Sequence, residues 1–369
     1  MARLEIKSVS KTFGAARPAD GLSLAVEPGE IVAVFGPSGS GKTVLLRMIA
    51  GMFEPDDGDI LVGGCSIVGA APERRGIGMA FQNFALFPHM TARANIASGL
   101  RAKGGVRNAE SSKVQAISRL LKIEHVLDHV PRELSNGQKQ RTALARALIG
   151  DPEVLLLDDP LRNVDAKLRY EMRLELPSLL RRGAAAALYV TQDYREAMAI
   201  ADRIAVLVGG RFEQVATPEE IYTAPASVAV ARLFGDPTIN LAESEPFEEH
   251  GGLFAMVSGA RIRLGGSGGQ PPDHHPCWLA IRPEHLAISR SASDGSIRAR
   301  ILAVTPMHEK AVLLLKLSDG TEWLAALPPH STDGTTEEDV FIRFAPEHAL
   351  LFDRTSGQRV CLSHRRQAA

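Results

Sequence analysis

The sequence predicts two domains of different class: an α/β domain with a mostly parallel sheet over residues 1–235, followed by a small all-β domain over 236–369. Three observations predict this. The apolar run Ile31–Phe35 passes through a glycine-rich loop into helical apolar spacing from Lys42 to Ala50, which is the order a phosphate-binding loop requires. Short, continuously apolar strands then alternate with helices as far as Val208, which favours parallel pairing. Beyond about Gly235, turns and short apolar runs replace helical periodicity.

Taken in order, Leu4 to Val9 alternates like a half-buried strand, and Leu22 to Val26 is a second strand before the Pro28-Gly29 turn. The helix from Lys42 meets a glycine stop at Gly51. Met90 to Val130 is mostly helical and more polar, with a soft break at Gly104-Gly105. A helix over Gln138 to Leu148 ends before Gly150, and Val154 to Leu157 is a buried strand. Asp165 to Arg182 is helical, with Pro177 expected to kink it or end it early. Leu188 to Thr191 and Ile204 to Val208 are strands. In the second domain, strands are expected at Leu253 to Val257, Arg261 to Leu264, Trp278 to Ile281, Ile297 to Val304 and Ala311 to Leu317, with a mobile loop at Gly265 to Pro272.

Composition narrows the class. The 369 residues carry a formal net charge of -1, without the basic excess of a non-specific nucleic-acid binder, so no nucleic-acid partner is expected. Cys65, Cys277 and Cys361 are scattered, which argues against a zinc site or a disulfide framework and fits a reducing compartment. The N-terminus reads as a strand start rather than a signal peptide. No apolar run approaches the ~20 residues a membrane helix needs, so work at a membrane would go through a partner. His125 and His129 read as a solvated helix face, His274-His275 as exposed linker, and Arg181-Arg182 as a helix C-terminal charge pair.

The chemistry concentrates in Gly36-Pro37-Ser38-Gly39-Ser40-Gly41-Lys42-Thr43, which fits G-x-x-x-x-G-K-[ST] without mismatch. Such glycines let backbone N–H groups turn inward around phosphate oxygens, reinforced by the positive end of the next helix. Lys42 would reach the β- and γ-phosphates of ATP, and Thr43 would offer its hydroxyl to Mg²⁺. Asp158, at the end of Leu155-Leu156-Leu157, would support the Mg²⁺ shell. Ser135 and Gly137, at a helix start, make a second anion-binding element.

Leu134-Ser135-Asn136-Gly137-Gln138-Lys139-Gln140-Arg141 closely resembles the signature sequence of ABC ATPases, departing only at Asn136 where glycine is usual. The resemblance implies that Ser135, Gly137 and Gln138 close over nucleotide held by a second ATPase subunit, a paralogue or a second copy. It also implies that Phe13 stacks on adenine, a core phenylalanine being the plain alternative. Gln82 would link the Mg²⁺ site to the membrane partner. Asn163-Val164-Asp165 resembles the loop that crosses to the opposite subunit, with Arg162 replacing its usual serine.

The pattern is most similar to ATPases of carbohydrate importers, the maltose-importer type. Phe84-Ala85-Leu86-Phe87-Pro88-His89-Met90 resembles their coupling region, Arg211 to Tyr222 the end of their ATPase domain, and Ala280-Ile281-Arg282-Pro283-Glu284-His285-Leu286 a marker of their C-terminal domain. That resemblance implies a parallel-sheet core with a helical subdomain at about 88–150, then an oligonucleotide/oligosaccharide-binding-type (TOBE/MOP-type) β-barrel. It further implies two transmembrane permease subunits, indirect work with an extracytoplasmic solute-binding protein, and a peripheral position on the cytoplasmic face of the inner membrane. Sugar or polyol is the implied solute, with oligoamine, phosphate ester and inorganic anion remaining open. A mainly regulatory ATP-binding subunit is a further alternative. A soluble ABC ATPase of DNA repair would need zinc cysteines or a long coiled-coil insertion, which the sequence lacks.

Two positions break the pattern. Active relatives carry Glu as general base after the magnesium Asp, where this chain has Asp159, and His where it has Gln192. Asp is one methylene shorter, and a misplacement of roughly 1 Å can cost about 10²-fold. Gln192 can donate a hydrogen bond but cannot carry a proton. Losing general-base work costs about 10²–10⁴-fold, and losses among groups acting as a unit do not add. ATP binding should survive. The expectation is a heterodimer in which this chain's own site is the weak one, against a homodimer in which Asp159 suffices.

Overall fold

The computed structural model describes residues 2–101, 107–250, 252–264, 276–329 and 337–360; Gly104-Gly105, Gly265 to Pro272, His274-His275 and Cys361 lie outside them. The chain divides into two units, Met1–Ile221 and Tyr222–Ala369.

In the first unit, strands β1 (Leu4–Phe13), β2 (Ala16–Val26) and β3 (Ile31–Phe35) lead into helix α1 (Lys42–Ile49). There follow β4 (Asp57–Val62), β5 (Cys65–Ser66), β6 (Ile77–Ala80), α2 (Ala92–Arg101), α3 (Arg107–Leu120) and α4 (Asn136–Leu148). The unit closes with β7 (Val154–Asp158), α5 (Ala166–Arg182), β8 (Ala186–Thr191), α6 (Tyr194–Ile200), β9 (Arg203–Val208), β10 (Arg211–Ala216) and α7 (Pro218–Thr223), whose last two residues fall in the second unit.

β10, β9, β3, β8, β7 and β6 form one sheet, parallel at every pairing except β10 with β9. β3 and β7 are buried at every residue, as strands covered on both faces must be. The register sets Phe35 beside Thr191 and Asp158 beside Val190, so β3, β7 and β8 end together. β1, β2, β4 and β5 form a separate antiparallel sheet. α5 continues through Pro177 to Arg182 instead of ending early. Proline removes one helical hydrogen bond there, while Leu176, Leu179 and Leu180 remain buried on either side and hold the helix to the core.

Arg75 fixes the far end of α1. Its side chain is fully buried, donates to the carbonyls of Met48 (2.9 Å), Ile49 (3.2 Å) and Ala70 (2.9 Å), and pairs with Glu54 at 2.8 Å. A guanidinium suits this place because the last carbonyls of a helix lack internal partners. Gly51 follows with φ of 83°, and a Cβ there would lie 2.5 Å from Arg75 Nε.

Among its described residues the second unit is all-β apart from the end of α7, α8 (Val228–Leu233) and short 3₁₀ turns. Three antiparallel sheets share one core: 240–244, 277–281 and 350–353; 247–249, 252–257 and 260–263; and 287–289, 297–306, 311–317, 322–327 and 339–343. Trp323 lies fully buried in that core, and its indole N–H donates to Leu241 O at 3.1 Å.

Arg75→Met should cost roughly 2–4 kcal/mol, because it strands buried carbonyls without a donor. A fall in the urea midpoint at unchanged slope checks this.

Candidate functional site

The cleft forms where β3, β7 and β8 end, the carboxyl edge at which open α/β sheets bind ligands. It encloses about 180 Å³ and is lined by Gly39 to Val44 with Pro18, Gln82, Asp158, Asp159, Val190 and Gln192. Two glycines set its shape. A Cβ on Gly36 would meet Leu207 O at 2.1 Å, and one on Gly41, whose φ is 108°, would meet Pro18 O at 1.9 Å. Neighbouring backbone thus packs directly against the loop at both positions and leaves room for glycine alone.

Lys42 is buried, and its ammonium donates to Gly36 O at 2.8 Å and Pro37 O at 2.7 Å. Burial pushes its pKa down, while Asp159 and Asp158 push it back up. Both carboxyls sit above their usual range because they are buried, an effect moderated for Asp158 by Thr43 and for Asp159 by Arg162. Thr43 Oγ1 lies 3.4 Å from Asp158 Oδ1. A hydroxyl, a carboxylate and the Gln82 amide among the residues lining the cleft are hard oxygen donors, which suits Mg²⁺ completed by phosphate oxygens. Among the described residues no cluster of three His, Cys, Asp or Glu could hold a metal by itself.

Asp159 and Gln192, the two altered positions, both line the cleft. Asp159 is held with φ of 47°, a left-handed conformation unusual for a side-chain-bearing residue, and its N–H donates to Val190 O at 2.9 Å. Its Oδ2 lies 3.6 Å from Arg162 Nη1. Gln192 Oε1 accepts from Ser38 Oγ at 2.8 Å, so the amide N–H groups are what this residue can offer a phosphate oxygen.

The other expected residues lie outside this lining. Ser135 caps α4: its Oγ accepts from Gln138 N at 3.3 Å, and Gln138 Oε1 accepts from Ser135 N at 2.9 Å, a closed capping box. Asn136, in place of glycine, occupies the first helical position, where a side chain is tolerated. Phe13 is exposed at the end of β1, meeting Phe53 edge-on at 5.5 Å, and is not a core residue.

Several supporting groups carry no local sequence signal. Glu196 is buried and accepts from Tyr189 Oη and Thr191 Oγ1, both at 2.9 Å. Arg173 pairs with Asp193 at 2.6 Å and approaches Glu196 at 3.8 Å, so Gln192 is pinned on both sides. Burial raises the Glu196 carboxyl, and burial with the Glu196 charge raises the Tyr189 phenol further. Asn163 Nδ2 donates to Gln82 O at 2.9 Å, tying the loop after Asp159 to the Gln82 segment. Just beyond, Phe84 and Ala85 have φ of 64° and 46°, and their carbonyls accept from the guanidinium of Arg146 on α4 at 3.0 and 2.8 Å.

Comparison with known proteins finds relatives of both units. A family model described as "ABC transporter" matches residues 19–162, and one described as "TOBE domain" matches 279–352. The chain is 38% identical to the sn-glycerol-3-phosphate import ATP-binding protein UgpC of Escherichia coli (strain K12), covering 98% of this chain and 100% of that protein. It is also 38% identical to UgpC 3 of Rhizobium etli, over 97% and 99%. The dimeric structure of MJ0796, a bacterial ABC transporter cassette, aligns at a TM-score of 0.54 and 28% identity, covering 58% of this chain and 98% of that one. A post-hydrolysis state of MJ0796 bound to ADP and Pi aligns at 0.53.

Gly41→Ala should weaken nucleotide binding by about tenfold or more, since the strain at this φ is of order 1–3 kcal/mol and the added methyl collides with Pro18 O. Titration with a fluorescent ATP analogue reads the loss.

Proposed function

Because this chain belongs to the ABC transporter ATP-binding family, we propose that it is the peripheral ATPase subunit of a solute importer, working at the cytoplasmic face of the membrane with two permease subunits and, through them, an extracytoplasmic solute-binding protein. The observation that carries this reading is the end-to-end 38% identity with import ATP-binding proteins, joined to a cleft that brings the glycine loop, Lys42, Asp158 and Asp159 together. Among the described residues no helix is long and apolar enough to cross a membrane, so attachment falls to the permeases. The relatives' names point to a polyol phosphate ester as the solute, the phosphate-ester alternative to a free sugar or polyol.

The proposed roles follow from the geometry. Mg²⁺-ATP, when bound, supplies the reactive γ-phosphate and the charge that activates it. The loop amides between Gly36 and Thr43 would cradle the phosphates, and Lys42 would exchange its carbonyl partners for β- and γ-oxygens. Thr43, Asp158 and Gln82 would support the metal. Asp159 would take a proton from water, and Gln192 would hold the γ-phosphate through an N–H. Phe13 would stack on the adenine. Ser135, Gly137 and Gln138 would complete the site of a second ATPase subunit.

The site built on this chain's own Lys42 is proposed as the weaker of two. Asp159 is one methylene short, and Gln192 cannot relay a proton. A paralogue carrying Glu and His would form the stronger site in a heterodimer, while a homodimer running on Asp159 alone is the competing assembly.

Asp159→Glu combined with Gln192→His should raise ATP turnover by at least about tenfold, with ATP affinity unchanged within about threefold. Steady-state hydrolysis beside equilibrium binding decides this, and a wild type as fast as the double variant would sink the weak-site reading. Uptake of labelled glycerol phosphate, compared with maltose, in cells lacking this gene tests the transport reading. Unchanged uptake of both would count against it.

A further inference from the structure

We infer that Asp56 and Phe53 are the positioning residues for the nucleobase: Asp56 clasps the strand that ends in Phe13, and Phe53 braces the Phe13 ring. This rests on the reading of Phe13 as the residue that stacks on adenine.

Phe13 is the last residue of β1, and Gly14 follows it with φ of 57°. The pairing of β1 with β2 is irregular there, with register shifts between Val9 and Lys11 and between Lys11 and Phe13. Such shifts interrupt the ladder, so the place of the strand end depends on what else holds it. Asp56 supplies the hold. Its N–H donates to Ser10 O at 2.8 Å, its Oδ1 accepts from Lys11 Nζ at 2.6 Å, and its Oδ2 accepts from Thr12 N at 2.7 Å. Ser10, Lys11 and Thr12, the residues leading to Phe13, are thus all tied to one partner. The Lys11 hydrogen bond, with that of the Thr12 N–H, holds the Asp56 carboxyl below its usual range, so the clasp is a charged one.

The same segment reaches the ring itself. Phe53 meets Phe13 edge-on, with centroids 5.5 Å apart and planes at 70°. Lys11, held by Asp56, places its ammonium 5.6 Å from the centre of the Phe13 ring. Phe13 still keeps 43% of its surface exposed, which leaves room for a planar base to lie on it. The brace is anchored in turn. Met52 N donates to Arg47 O at 2.8 Å on α1, and Glu54 pairs with the buried Arg75 at 2.8 Å. α1 starts at the phosphate loop, so one helix carries that loop at its beginning and the brace just past its end. The two places that would grip the two ends of a nucleotide are therefore set before it arrives, which lowers the ordering cost of binding.

Calorimetric titration of the full chain with Mg²⁺-ATP, and with Mg²⁺-tripolyphosphate as a ligand that has phosphates but no base, tests this. Phe13→Ala should weaken ATP binding about tenfold, as expected for loss of one base stacked on an aromatic ring. Asp56→Ala and Phe53→Leu should each weaken it about three- to tenfold, because a ring left to move keeps only part of that stacking. Asp56→Asn, which retains one acceptor, should lose less. Tripolyphosphate affinity should stay within about twofold of wild type in every variant, which also shows that the phosphate loop is intact. The double variant Phe13→Ala/Asp56→Ala should bind ATP no worse than Phe13→Ala, because Asp56 acts through Phe13. Wild-type ATP affinity in Asp56→Ala or Phe53→Leu overturns the inference. So do equal losses for ATP and tripolyphosphate, or losses that add in the double variant. Wild-type ATP affinity in Phe13→Ala instead overturns the stacking reading itself, and the inference with it.

Discussion

The parallel register of β3, β7 and β8 is the constraint on which the site depends. Phe35 lies beside Thr191 and Asp158 beside Val190, so three chain segments leave the sheet at one edge. The first becomes the glycine loop, the second gives Asp158 and Asp159, and the third gives Gln192. A slip in any of these strands would separate Lys42 from its carboxylates. Strands without exposed faces have little freedom to slip, because the apolar packing on both sides fixes them.

Around that edge the electrostatics are balanced rather than relaxed. A buried ammonium faces two buried carboxylates; burial shifts all three, opposite charge draws each part of the way back, and Asp158 pushes Asp159 further up. Such a cluster sacrifices some stability of the free protein and is suited to a polyanion with a divalent cation, which would satisfy all three groups at once. The left-handed backbone at Asp159 belongs to the same pattern of local strain held in place by a rigid frame.

The sequence made the phosphate loop and the magnesium Asp legible because their chemistry is local. Glycine spacing and a strand-to-helix switch lie within a dozen residues, and the backbone does most of the binding. The departures at Asp159 and Gln192 were equally legible as residue types. Their partners were not. Ser38 meets Gln192 and Asn163 meets Gln82 only after the sheet has brought distant segments together. Arg162 is close in sequence to Asp159, yet their contact depends on a turn whose shape is set by Leu161, Asn163 and Arg169. Sequence reasoning also missed β4 and β10, and of its two expectations for Pro177 the early end does not occur, since buried leucines on either side hold the helix through to Arg182.

One feature outside the cleft has a mechanical meaning. Phe84 and Ala85 are consecutive non-glycine residues with left-handed φ, a conformation that costs of order 1–3 kcal/mol for each. Both carbonyls hang from the single guanidinium of Arg146, on the same helix that Ser135 caps. The segment is held locally by Phe84 N–H to Phe81 O and Ala85 N–H to Asn83 O, and Arg146 links it to α4. One guanidinium therefore joins the backbone after Gln82 to the helix whose first turn Ser135 caps, a direct covalent-and-hydrogen-bond path between the two.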